Sequence, residues 1–233
     1  MKKFVVLFLF ATIVVIAGCG GGGGGSAATT PTSATIRQLQ SGDYLTYNLA
    51  GTITQLGTAT TSPVTGTLAI STYADSANAE FSGRRLKEIA TITLTGNGGA
   101  YTGNNTVLIE QVTDGTIYDL GSSDNQIVST SDNDPIEYKS PLAIGYAHSY
   151  SPTYQDATSE ENAFTVVSLE SVNGQSAYKI HSTTTSGDDS SSGDDWFVPD
   201  WGYPAKGTGA FQVTDGTHSY YFSGTMTLAS KNF

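Results

Sequence analysis

From Tyr44 to the C-terminus the chain repeatedly alternates apolar with small polar side chains at a period of two, and this limits its fold more than any other feature. Leu45, Tyr47, Leu49, Gly51 and Ile53 fall on one parity, and Tyr44, Thr46, Asn48, Thr52 and Thr54 on the other. Val64, Gly66, Leu68 and Ile70 repeat the pattern against Thr65, Thr67 and Ser71. Leu86, Ala90, Ile92 and Leu94 do so against Lys87, Thr91 and Thr93, and Tyr220, Phe222, Gly224, Met226 and Leu228 form the last apolar stripe. Successive side chains of a strand point to opposite faces, so each segment has one dry face and one wet, Thr-rich face. No segment carries a sustained helical period; Ala74 to Glu80 is expected to form at most a short helical turn.

Ten to thirteen strands are expected, with little helix. Asp114-Gly115, Asn173-Gly174 and Asp215-Gly216 each separate two strand-like runs, and such pairs supply the positive φ angles of type I′ hairpin turns. A sheet of that size must curl, close or split. The expected class is all-β: one large antiparallel curved sheet, as a half-barrel or barrel, with a two-sheet sandwich as the alternative. Only 10 Lys and Arg are present, too few and too scattered for phosphate recognition, so nucleic acid is excluded as a partner. One cysteine rules out a disulfide framework.

That cysteine follows a distinctive N-terminus. Lys2 and Lys3 precede an apolar or small run from Phe4 to Ile16, too short to span a bilayer but suited to a signal-peptide core. Ile16, Ala17, Gly18 and Cys19 then resemble the lipobox of bacterial lipoproteins. The resemblance implies cleavage before Cys19 and acylation of that residue, and several acyl chains give stable anchoring where one does not. Loss of Lys2 and Lys3 takes the formal charge from -11 to -13, so lipid, not surface charge, must hold the protein to a membrane. Gly20 follows the cysteine where an Asp resembles an inner-membrane retention signal; this implies the outer membrane, or the outer face of the plasma membrane in a monoderm. The expected organisation is a signal peptide over 1–18, a lipidated Gly/Ser/Thr-rich tether over 19–41 and one β domain over 42–233.

A second resemblance lies between Pro141 and Lys206. Pro141-Leu142-Ala143-Ile144-Gly145, a strand ending Glu170-Ser171-Val172, Ala177-Tyr178-Lys179-Ile180, and Trp196-Phe197-Val198-Pro199 with Gly202 occur in that order. This order is similar to a β-rich domain of bacterial secreted proteins and lipoproteins, itself similar to the curved sheet of the LolA/LolB lipoprotein carriers. Asn173-Gly174-Gln175-Ser176 replaces that family's longer connection by a tight hairpin. The resemblance implies a fold and a location, and no catalytic residues.

Chemistry is sparse in the chain. His148, His181 and His218 stand in no zinc-ligand spacing, and no nucleophile elbow or phosphate loop occurs. Asp188, Asp189, Asp194 and Asp195, between Gly187 and the Trp196 strand, are dense in oxygen ligands, and Asp132-Asn133-Asp134 forms a second cluster. Each reads either as a solvated turn or as a calcium loop, without the EF-hand pattern. Two aromatic groups stand out: Tyr146, Tyr150 and Tyr154, which share a parity interrupted by Pro152, and Trp196, Trp201 and Tyr203 around Pro199. They read as ligand or partner platforms, or as packing that closes the open end of the sheet. Together these features point to a membrane-anchored envelope lipoprotein with a non-enzymatic structural or partner-binding role and no cofactor. The alternatives are a carrier of a hydrophobic ligand in the concave face of the sheet, which needs a pocket of roughly 300 Å³ or more, and an enzyme, which needs convergent titratable groups.

Overall fold

A computed structural model describes residues 33–58, 60–96, 99–187, 189–214 and 219–233. The signal peptide, Cys19, Asp188, His218 and the Asp215-Gly216 turn lie outside the described residues. Fourteen strands and no helix occur among those described. The first seven are β1 (Tyr44–Gln55), β2 (Thr61–Ala74), β3 (Arg84–Gly96), β4 (Gly99–Gln111), β5 (Ile117–Ser122), β6 (Asn125–Thr130) and β7 (Ile136–Tyr138). The rest are β8 (Ala147–Tyr150), β9 (Pro152–Tyr154), β10 (Glu161–Val172), β11 (Gln175–Ser186), β12 (Asp189–Val198), β13 (Tyr203–Thr214) and β14 (Ser219–Lys231).

They form one antiparallel sheet in the order β8-β10-β11-β12-β13-β14-β1-β2-β3-β4-β5-β6-β9, with β7 beside β5. The two strands at the ends of this order, β8 and β9, are neighbours in sequence, separated only by Ser151. The chain itself therefore bridges the two edges, and the curved sheet is nearly a barrel. Pro152, which has no N–H to give a ladder, sits where pairing passes from β10 to β6. The Ser131 N–H donates to the Ser151 carbonyl at 3.1 Å and Asn133 Nδ2 to the Ser149 carbonyl at 2.9 Å, so the seam is not left as an open edge.

The period-two alternation is the wall of this barrel. Leu45, Tyr47, Leu49, Ile53, Val64, Leu68, Leu86, Leu94, Phe222 and Met226 are buried in one contiguous core, while the Thr parity faces out. Asn173 and Gly174 join β10 to β11 with φ of 51° and 78°, as a type I′ turn requires. Asp114-Gly115 differs from the expectation: only Gly115 has positive φ, and the Val112 N–H reaches the Thr116 carbonyl at 3.1 Å, making a longer loop.

Two further expectations are corrected. Ala74 to Glu80 forms no helical turn; the loop from Asp75 to Gly83 is organised by the buried Glu110 carboxylate, which accepts the N–H groups of Glu80, Phe81 and Gly83 at 2.6–2.8 Å. A side chain that satisfies three backbone donors makes the helical alternative unnecessary. The segment expected to be tether as far as Ser41 is packed from Ala34 onward. Ala34 bridges Leu142, Ile36 and Leu39 are each 1% exposed, and Gln111 receives the Leu39 N–H at 2.7 Å while donating to the Arg37 carbonyl at 3.0 Å. Arg37 grips Asp43 through two hydrogen bonds of 2.7 and 2.9 Å. These residues lie across the barrel end bearing the β4–β5 and β12–β13 connections, so they cap it.

Candidate functional site

Inside the barrel lies a chamber of about 120 Å³, partly open to solvent. A smaller lobe of about 50 Å³ shares Glu137, Tyr138, Tyr150 and Asp195 with it. Four carboxyl groups line the chamber: Glu88 from β3, Asp119 from β5, Glu137 from β7 and Asp195 from β12. No Lys or Arg is among the lining residues, whereas Tyr47, Tyr138, Tyr150 and Tyr203 are. Leu39 of the cap closes part of one side, and Leu68, Val107 and Met226 supply apolar wall.

Three of the carboxyls meet tyrosines, Asp195 through Tyr138. The Tyr203 hydroxyl donates to Glu88 Oε1 at 2.6 Å and also meets Thr72 Oγ1 at 2.6 Å. The Tyr150 hydroxyl donates to Asp119 Oδ2 at 3.2 Å, and the Gly121 N–H donates to Asp119 Oδ1 at 2.8 Å. Asp195 Oδ1 is buried without a hydrogen-bond partner, and no protein donor reaches the Glu137 carboxyl among the described residues. All four are shielded from bulk water while keeping some surface open to the chamber.

Burial pushes each carboxyl pKa up, because the charged form loses solvation. Asp195 is raised to about 7 by burial and by the neighbouring Asp194 charge, against the opposing hydrogen bond of Tyr138. Glu137 is raised well above its ordinary value by burial, then by the charges of Asp119, Glu88 and Asp195. Glu88 and Asp119 are raised by burial against the lowering effect of their hydroxyl and amide donors. Tyr47 and Tyr138 are pushed upward by burial and then by the Asp195 charge, so they remain neutral phenols.

The aromatic candidates divide. Tyr150 and Tyr203 line the chamber. Tyr154 is buried and donates to Glu160 Oε2 at 3.1 Å, and Tyr146 packs against Phe164 with ring centroids 5.8 Å apart. The shared parity of Tyr146, Tyr150 and Tyr154 survives Pro152, itself buried. Trp196 and Trp201 instead pack around a small separate cluster of Val172, Ala177, Val198 and Ala205. Lys206 lies 3.8 Å above the Trp196 ring, Lys179 lies 5.2 Å from it, and the indole N–H donates to Glu170 Oε2 at 2.5 Å.

The expected acidic loop is not a loop. Asp189 begins β12, whose ladder with β11 runs from Ser186↔Asp189 to Tyr178↔Phe197. Adjacent residues on a strand point to opposite faces. Asp194 accordingly pairs with Lys179 and His181, each at 2.9 Å, while Asp195 points into the chamber. Asp194 and Asp195 thus face opposite sides of the sheet, and among the described residues no three His, Cys, Asp or Glu side chains come together to hold a metal ion.

No protein-family model and no curated protein matches the chain. Two solved structures overlay it loosely. One, described as an exported protein with a YmcC-like fold, is from Bacteroides fragilis; it is 13% identical, covers 86% of this chain and 100% of its own, and has a TM-score of 0.38. The other, described as a lipoprotein, is from Parabacteroides distasonis; it is 12% identical, covers 85% and 99%, and has a TM-score of 0.38.

Proposed function

We propose that the chain is a lipid-anchored envelope protein, attached through Cys19, whose barrel serves a non-enzymatic binding or structural role. The observation that carries the anchoring is the order Ile16-Ala17-Gly18-Cys19 directly after the apolar run, with the only cysteine of the chain in the final position. Among the described residues the first to pack is Ala34, on the capped end of the barrel. Cys19 is close in sequence to Ala34, so the capped end is the end of the barrel nearest the proposed anchor. The outer membrane is the proposed site, since Gly20 and not Asp follows the cysteine.

In its own host, the full-length protein is expected to incorporate an alkyne analogue of palmitate and to sediment with the envelope. Cys19→Ala is expected to lose the label and to leave the outer-membrane fraction. An unlabelled wild-type protein would remove the anchoring proposal.

A partner role draws on the outer-face cluster of Trp196, Lys179, Lys206 and Glu170, where an aromatic ring is held between cations and a carboxylate. A photocrosslinking residue at position 196 is expected to trap one discrete adduct, and the same residue at position 128 to trap none. Equal trapping at both positions would contradict a specific surface. An acyl-chain carrier fits poorly, because about 120 Å³ falls well short of the roughly 300 Å³ at which drug-sized pockets begin.

A further inference from the structure

Four carboxyl groups without a cation are an unusual lining for a protein interior. Buried charges are normally paired, and an unpaired carboxyl either takes up a proton or waits for a counter-ion. Here polar atoms at the chamber and its smaller lobe lack partners, although Tyr138 gives Asp195 one hydrogen bond. Asp195 Oδ1 has none, no donor from the described residues reaches the Glu137 carboxyl, and Asn162 Nδ2, on a residue only 4% exposed, is also unpartnered and faces the smaller lobe. Native interiors rarely leave both a donor and an acceptor unsatisfied at one place.

The shape of the space narrows what could satisfy them. The carboxyls do not converge closely enough to hold a metal ion among the described residues. They stand around a chamber of about 120 Å³ whose remaining wall is apolar and aromatic. A cavity of about 150 Å³ in another protein accepts benzene, so the chamber of about 120 Å³ with its adjoining lobe of about 50 Å³ suits a benzene-sized body carrying one small head group. Carboxylates together with tyrosine rings recognise ammonium groups through charge and through the negative face of the ring.

We propose that this chamber binds a small organic cation: an ammonium group held by Glu137 and Asp195, on an apolar body about the size of benzene packed against Leu68, Val107 and Met226. This goes beyond the envelope role and does not depend on lipid anchoring. Because the raised carboxyls ionise as the cation enters, binding releases protons to the buffer.

Benzylamine is the probe, titrated calorimetrically into the purified full-length protein at pH 7.5, with benzyl alcohol as its uncharged counterpart. Benzylamine is expected to bind one to one, with a heat that depends on the ionisation enthalpy of the buffer. Benzyl alcohol is expected to bind at least about tenfold more weakly. Glu137→Gln and Asp195→Asn are each expected to weaken benzylamine by about tenfold or more, while Glu170→Gln on the outer face leaves it unchanged. Thermal melts of the variants at pH 8 separate lost binding from lost folding, since removing an ionisable buried group keeps or raises the melting temperature there. Equal affinity for the alcohol, undiminished binding by both chamber variants, or no binding of benzylamine to folded wild type would each overturn the proposal.

Discussion

Gly224→Ala is expected to destabilise the barrel by about 3 kcal/mol and to lower Tm by roughly 6–12 °C. Gly224 belongs to a row of glycines that crosses the sheet. Gly209 pairs with Gly224, Gly224 with Gly51, Gly51 with Val64, and Val64 with Gly96. A Cβ on Gly224 would lie 2.3 Å from the Ala50 carbonyl oxygen and 2.7 Å from the Gly51 Cα. A Cβ on Gly51 would meet the Ser223 carbonyl oxygen at 2.2 Å, and one on Gly96 the Pro63 carbonyl oxygen at 2.7 Å. All of these obstructions are backbone, so they yield only if neighbouring strands separate.

Glycines of this kind let a sheet bend sharply enough to close, and the Phe222 ring packs over the row, 4.6 Å from Phe211 and close to both Gly51 and Gly224. Gly103→Ala is the matched control: its Cβ would meet only Ile92 Cγ2, at 3.4 Å, an ordinary contact. A melting experiment in which Gly224→Ala and Gly103→Ala behaved alike would contradict the role of the row.

The second large effect is on pH. An acid whose folded pKa is raised binds more protons in the folded state than in the unfolded one, so stability is greatest below the unfolded pKa and falls as pH rises through the folded one. For Asp195 that window runs from 3.8 to about 7, which amounts to about 4 kcal/mol across it. Glu88, Asp119 and Glu137 shift in the same direction and steepen the decline. Wild-type Tm is therefore expected to fall between pH 5 and pH 8, and Asp195→Asn to flatten much of that fall. A Tm that held level or rose over the same interval would show that the chamber carboxyls are solvated like surface ones.

Much of the barrel was legible because its physical signal is local. Alternation marks a strand with one dry face, and Asn173-Gly174 marks a turn whose φ angles few other pairs adopt. Closure was not legible, since it depends on which strands become edges; here it rests on β8 and β9 being consecutive yet pairing at opposite ends of the sheet. The cap was missed because Ile36 and Leu39 are two apolar residues in a polar stretch, and their burial depends on Gln111 and Pro199, far away in sequence.

The chamber left a readable trace. Glu88 lies on the same parity as Leu86, Ala90 and Ile92, and Asp195 on that of Phe197. A carboxylate on the apolar parity of a strand is a charge aimed into a core, a sharper signal than a run of consecutive acids. Asp194 and Asp195 look alike in a sequence window, yet one meets Lys179 and His181 outside while the other enters the chamber. What could not be read from any window is convergence: Glu88, Asp119, Glu137 and Asp195 come from four strands and meet only when the sheet curls.

Native mass spectrometry of the full-length protein released from its own envelope reads directly whether this nearly closed barrel has a small, acidic interior. The expected mass is that of the acylated chain alone or with a small amine bound. A stoichiometric, non-covalent adduct with the mass of a fatty acid or phospholipid would contradict it, because a cavity of about 120 Å³ cannot hold one.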